Sequence, residues 1–245
     1  MSQIEQNKPA DATEVPAEGR LQTFWREWRG FFLFVVVMLL FRSAIADWNH
    51  VPSGSMLPSI YEGDRIVVDK MAYDLRVPFT FISLHHRDDP QRSDVITFEH
   101  PQSGRMLVKR VIGVPGDRVE YRNNRLFING EAATYDPLTI ELPEQQGLDP
   151  RLDYQFNRET ILGNTRTVMY ANRRVRDPRL SFVPVTVPEK KYLVLGDNRD
   201  NSHDSRFIGL IDRHLILGKA NHIAFSLDQE NYYIPRGDRF LEALE

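Results

Sequence analysis

The stretch MLVKRVIGVPGDRVEYRNNRLFING, residues 106–130, carries the reading of the fold. Its runs 106–114, 118–122 and 125–129 are β-branched or aromatic and bounded by Gly, Pro, Asn and Asp, the pattern of strands rather than helices. Asn123-Asn124 falls between two alternating runs and reads as a hairpin turn, and Asn129-Gly130 reads as a second. Working outward, RIVVD (65–69), DVITF (94–98), KYLVL (191–195) and HIAFSL (222–227) repeat the pattern. The expected fold is therefore mainly β, an antiparallel sheet or barrel-like domain over residues 47–245. Between 131 and 188 the pattern loosens into polar, Pro-spaced sequence, expected to form an inserted subdomain. There are no internal repeats.

The N-terminal part is different in kind. Residues 1–19 are polar, acidic and rich in Pro and Ala, and cannot bury enough apolar surface to offset the entropy of ordering. In residues 30–41 there is no charge, and eleven of the twelve are strongly apolar. Continued to residue 46, the run reaches 17 residues with one interruption, Arg42, against about 20 for a spanning helix and roughly 17 at the lower limit. A signal peptide is disfavoured by the long acidic tail, and a core helix by a run that is apolar all round. The expected organisation is a cytoplasmic tail (1–29), a transmembrane anchor (30–46) and an exported domain (47–245). Trp25, Trp28 and Trp48 would sit at the interfaces and Arg42 would snorkel. Arg20, Arg26 and Arg29 precede the run, while only Arg42 follows it before Arg65, so the positive-inside bias places the N-terminus in the cytoplasm.

Composition narrows the function. The chain has 245 residues, with Lys+Arg 31 against Asp+Glu 34 and a net charge of -3, which argues against a nucleic-acid partner. Cys 0 excludes disulfides, a thiol nucleophile and thiolate metal sites.

Three clusters can do chemistry. In VPSGSMLPSIYEGD (51–64) two serines bracket a glycine, with prolines on either side. A serine becomes a nucleophile when a base takes its proton and donors await the oxyanion. Ser55 could serve so, with its own N–H and the Ser53 hydroxyl as donors; the plain alternative is a Ser/Pro linker. In LVKRVIGVPGDRV (107–119), Lys109 and Arg110 interrupt an aliphatic strand, so one of them must point inward. At pH 7 only about one ordinary lysine in 2,500 is neutral, but burial lowers the pKa and makes Lys109 a candidate base. An edge strand with both charges solvated is the alternative. LGDNRDNSHDSRFIG (195–209) is dense in Asp, Asn, Ser and Arg. It lacks the sixth-position glycine and late glutamate of a calcium loop, so a salt-bridged turn is expected, with Asp204 and Arg206 structural and Ser202 able to bond a buried amine.

In this order, PSGSMLPS with EGD, KRVIGVPGD and GDNRDNSHDSR resemble bacterial signal peptidase I, a Ser/Lys protease family; LFING and GKANHIAF are similar to it as well. The resemblance covers about 180 residues and is least supported over 131–188. It implies a membrane-anchored endopeptidase of the bacterial cytoplasmic membrane, with its catalytic domain on the periplasmic face, that removes signal peptides after small residues of the Ala-x-Ala type. It implies Ser55 as nucleophile, Lys109 as general base, Ser53 in the oxyanion hole beside the Ser55 N–H, and Ser202 orienting Lys109, with Asp204 and Arg206 holding the site together. It implies no cofactor and no metal; the partners are exported preproteins and the lipid bilayer. Only one spanning segment is expected, where some members have two, and the disulfide of some members is impossible here. None of the seven histidines has an obvious triad partner, so His85, His86 and His203 are expected to be solvated or structural.

Substrate is expected to bind by strand addition. The apolar run RVPFTFI (76–82) is expected to lie against the bilayer or line the substrate groove. Three rival readings remain: a silent, membrane-tethered β module that binds signal peptides or scaffolds a complex; a self-cleaving Ser/Lys repressor, which would need a DNA-reading domain; and adhesion through Arg236-Gly237-Asp238, a tripeptide that commonly marks a turn.

Overall fold

The computed structural model describes residues 20–80, 82–142, 147–172, 181–228 and 231–244. It comprises two compact units, Met1–Leu40 and Phe41–Glu245. Helix α1 (Arg20–Ala44) supplies the described part of the first. The expected tail therefore lies outside the described residues up to position 19, and residues 20–29 are already helical. Most apolar side chains of residues 31–41 are exposed, with Phe24–Trp28 and Trp25–Phe32 stacked along the helix.

Among the described residues, no helix is long and apolar enough to cross a membrane. Charge spacing is the reason. The uncharged run 30–41 rises about 18 Å at about 1.5 Å per residue, against a hydrocarbon core of about 30 Å. Arg26, Glu27 and Arg29 stand at one end of it and Arg42 at the other. The expected span over 30–46 does not take that form: α1 ends at Ala44, and Ala46 already pairs with Asp69 in a sheet. Arg42, expected to snorkel, lies 2.7 Å from Asp47 and stacks over the Trp48 ring.

Strands follow in the order β1 (Ala46–His50), β2 (Asp64–Asp69), β3 (Asp74–Arg76), β4 (Ser83–His86), β5 (Val95–Glu99), β6 (Met106–Gly113), β7 (Arg118–Arg122), β8 (Arg125–Ile128), β9 (Glu131–Ala132), β10 (Thr134–Leu138), β11 (Tyr154–Ile161), β12 (Asn164–Ala171), β13 (Phe182–Thr186), β14 (Lys191–Leu195), β15 (Ile211–Asp212), β16 (Ile216–Asp228), β17 (Ile234–Arg236) and β18 (Glu242–Ala243). The main sheet runs β1-β2-β16-β5-β6-β14-β15, with β17 and β18 also paired to β16. It is antiparallel, and among the described residues its end strands β1 and β15 do not pair with each other. Alternation dictates the local structure: Asp64, Ile66 and Val68 of β2 are buried while their neighbours are half-buried. The β7–β8 hairpin turns on Asn123 and Asn124 at φ 52 and 59, the left-handed pair that a two-residue primed turn requires.

Both faces of the central hairpin β5–β6 are covered. Val95 packs with Val51, Met56, Ile60, Ile66 and Val68, whereas its neighbour Ile96 packs on the other face with Tyr73, Phe98, Val111 and Val194. The inserted stretch is more regular than its sequence suggests. It holds the three-stranded sheet β10-β11-β12, while β9 and β13 extend the β7–β8 hairpin. Ile161 and Val168 join one core with Val119, Leu126, Leu193 and Leu195. The run 76–82 forms the tip between β3 and β4, where Phe79 and Ile82 are exposed; Phe81 lies outside the described residues.

Candidate active site

Ser55 lies in a single 3-10 turn, Gly54–Met56. The turn is pinned by its downstream side chains, because Met56, Leu57 and Ile60 are fully buried. Ser53, which precedes the turn in extended conformation, is exposed and spends its hydroxyl on no capping bond. The Ser55 carbonyl is already engaged, accepting from the Asn198 backbone N–H.

Lys109 comes from β6, at the register point opposite Ile96. Its Nζ is 2.5 Å from Ser55 Oγ across 54 residues of sequence. Lys109 is buried, and burial depresses its pKa to about 8, with Arg206 pushing the same way and Asp204 and Asp197 opposing. Adjacent strand residues face opposite sides, so Arg110 points away from Lys109. It is equally buried and makes a two-pronged pair with Asp197, at 2.9 and 2.8 Å. Both charges of the pair in the sequence are therefore interior, one beneath each face.

The stretch 196–206 closes the site from the end of β14. Gly196 is wedged against the Ser55 turn: a Cβ there would stand 2.4 Å from the Ser55 carbonyl oxygen and 2.3 Å from Ser202 Oγ. Its N–H donates to Asp204 Oδ2. Asp204 and Arg206 form a fully buried two-pronged ion pair at 2.8 Å on both arms. Burial alone would raise the Asp204 pKa, but Arg206 and the Gly196 N–H hold it below the ordinary carboxylate value. Ser202 is buried; its hydroxyl faces Asp204 and helps to lower that carboxyl's pKa, and among the described contacts it makes no bond with Lys109. Proximity to Ser55 through Gly196, rather than a bond to the amine, is what the structure gives it.

Two contributors had no role in the sequence reading. The Asn198 side-chain amide donates to the Gly54 carbonyl at 3.0 Å, and its backbone N–H donates to the Ser55 carbonyl at 3.2 Å. Ser59 Oγ donates to Asp197 Oδ2 at 2.6 Å, tying the residues after the turn to the Arg110–Asp197 pair. Both Asp197 and Asn198 stood inside a polar cluster whose members the sequence could not rank. A further link comes from the inserted strands, where Met169 bridges to Asn198 and its carbonyl accepts from the Arg199 N–H. His203 stacks on Phe207, and its ring lies 5.9 Å from that of His100; no triad partner is seen for it among the described contacts.

The family model described as "Signal peptidase, peptidase S26" matches residues 25–225. Signal peptidase I of Pseudomonas fluorescens is 35% identical over 204 residues, covering 78% of this chain and 69% of the relative. Its counterpart in Pseudomonas aeruginosa is 32% identical over 230 residues, covering 89% of this chain and 77% of the relative. Signal peptidase I of Buchnera aphidicola subsp. Schizaphis graminum is 29% identical over 251 residues, covering 88% and 80%.

Proposed function

Because the chain belongs to the signal peptidase family, peptidase S26, and is a serine peptidase, we propose that it removes N-terminal signal peptides from exported preproteins through a Ser55–Lys109 dyad, cutting after small residues. The observation that carries the reading is the 2.5 Å contact between a buried lysine of lowered pKa and a serine in a pinned turn. At a pKa of about 8, roughly one Lys109 in ten is neutral at pH 7, enough for a working base. Neutral Lys109 accepts the Ser55 proton as Oγ attacks the scissile carbonyl. The Ser55 N–H and the Ser53 hydroxyl donate to the oxyanion, a contribution of about 3 kcal/mol per donor in comparable sites. The Lys109 ammonium then protonates the leaving amine, and water deprotonated by Lys109 releases the acyl group. Asp204, Arg206 and Ser202 support the amine's surroundings rather than touch substrate.

Strand addition has a physical basis in the sheet. Residues 106–109 pair with β5 on one edge, while β14 begins to pair with β6 only at Arg110, so the other edge beside Lys109 carries no strand among the described residues. An extended peptide on that edge presents alternate side chains to the same side, which fits small residues at the first and third positions before the cut.

The decisive experiment is cleavage of an Ala-x-Ala preprotein by the full chain in detergent, beside Ser55→Ala and Lys109→Ala. Cutting after the small residue, with both folded variants inactive, is expected. Full activity in Lys109→Ala would refute the dyad, and a parent that binds but never cuts would favour the silent module.

The proposal extends to location: bilayer attachment through α1, N-terminus in the cytoplasm, peptidase domain on the periplasmic side. Its support is the exposed, uncharged run 30–41 with Trp25 and Trp28 ahead of it, and the arginine asymmetry of the flanks. Resistance of the chain to alkaline extraction from membranes is expected; release into the supernatant would refute attachment. The exposed tip carrying Phe79 is proposed as a second bilayer contact, so Phe79→Ser with Phe81→Ser should weaken flotation of the chain lacking α1 with liposomes.

A further inference from the structure

The edge of β6 that would take the substrate is short. β14 occupies the same edge from Arg110 onward, pairing Leu195 with Arg110, Val194 with Val111 and Leu193 with Gly113. If the residues before the cut lie extended on 106–109, the chain beyond the scissile bond cannot continue in that lane. It must rise out of the sheet where β14 ends, over residues 196–201.

A cavity of about 420 Å³ opens at this place. Its walls include Asn198 and Asn201 from that segment, Ala171 from the end of β12, and Leu148, Leu152 and Tyr154 from the inserted stretch. Asn198 belongs to both structures, since it lines the cavity and its amide holds the Gly54 carbonyl. Through Asn198, one wall of the cavity is hydrogen-bonded directly to the turn that carries Ser55. The chemistry suits a peptide: Leu148 and Leu152 offer apolar carbon within a largely polar lining that also holds Asp149 and Tyr154, Asn201 is exposed, and Asn198 Oδ1 is a buried acceptor without a partner.

We infer that this cavity binds the first residues of the mature chain, the leaving polypeptide, taking an apolar side chain against Leu148 and Leu152 and main-chain amides against the two asparagines. The inference rests on the strand-addition reading above. It gives the inserted strands a task in substrate selection: they select on the sequence after the cut, as the β6 edge does on the sequence before it.

The test compares two substrates that share one Ala-x-Ala signal segment. One is a preprotein; in the other, a chromogenic amine replaces everything after the cut. With the full chain in detergent, Leu152→Trp narrows the cavity and should lower the ratio of kcat/KM for preprotein over chromogenic substrate about tenfold, a change typical of losing one apolar subsite. Leu148→Arg should do the same. An unchanged ratio would overturn the inference, as would an equal fall for both substrates, which marks damage to the nucleophile turn. If neither variant folds, the parent enzyme decides: extending the mature segment from one residue to six should raise kcat/KM about tenfold, and no gain overturns the inference. A parent that cuts neither substrate instead refutes the peptidase reading, and the inference falls with it.

Discussion

Replacing Lys109 by Met should remove activity and yet stabilise the fold. Lys109 is buried, and its pKa falls from 10.5 to about 8 on folding, chiefly by desolvation. The unfolded chain therefore holds this proton more tightly than the folded one. A shift of about 2.5 units at about 1.36 kcal/mol per unit means that burying this amine costs about 3 kcal/mol at pH 7. The sign follows from linkage: stability contributed through Lys109 is lowest below pH 8 and recovers as pH rises through 8 to 10.5, where the unfolded chain also loses the proton. Met fills nearly the same volume with no charge to desolvate and lacks only the Ser55 contact. Lys109→Met should thus melt several degrees higher than the parent at pH 7, at roughly 2–4 °C per kcal/mol for a domain of this size. The advantage should shrink steadily towards pH 10.5. The assay is thermal unfolding of both proteins in the same detergent from pH 6 to 10.5; other titrations are common to both and cancel. A variant less stable than its parent at pH 7, or a difference that does not change with pH, would refute the claim that Lys109 is held buried at an energetic cost for its basicity.

Three further outcomes are expected. The kcat/KM of the parent should rise about tenfold from pH 7 to 9 and then level off, since a base of pKa about 8 goes from about 9% to 91% neutral; a rise of about a hundredfold continuing past pH 10 would mean an unshifted lysine. Ser53→Ala should lower kcat by about 10²–10³ with little change in KM, the pattern of a donor used only in the transition state, and an equal rise in KM would speak for ground-state binding instead. Gly196→Ala should fold but lose most activity, because its Cβ would overlap the Ser55 carbonyl and Ser202 hydroxyl, both within 2.4 Å; an active Gly196→Ala would show that the nucleophile turn tolerates displacement.

The β framework was legible because its strands alternate. Ile66 and Val68, Val119 and Tyr121, Leu126 and Ile128 are buried at every second position, and the turns carry Asn-Asn and Asn-Gly at left-handed φ. Strands β11 and β12 were not legible. Their alternation is broken by the charged residues Arg158, Glu159 and Arg166. Glu159 is in fact fully buried, bonded to Arg166 at 2.6 Å and to Arg199 at 2.6 and 2.8 Å. Burial would raise its pKa, but the two guanidiniums hold it at about 2. A charge whose partner lies 40 residues away cannot be recognised as a core residue from its neighbours. In α1 the apolarity is local and visible, but the uncharged run is twelve residues against about 20 for a spanning helix, and among the described residues no helix is long and apolar enough to cross a membrane.

The same division holds for the site. Sequence alone determined the residue types: a serine between small residues and prolines, a lysine inside an aliphatic strand, and an Asp/Arg-rich turn after a strand. Chain-local patterns suffice to single out these segments, though not to choose between the two adjacent cations. The tertiary structure decided which of two adjacent cations meets Ser55, by turning Lys109 onto it and Arg110 onto Asp197 through strand alternation between two covered faces. It also gave Asn198 its hold on the nucleophile turn, and left the Ser202 hydroxyl without a bond to the amine. Those outcomes depend on register and burial between segments 50 to 150 residues apart. They arise from packing and desolvation, which no single segment contains.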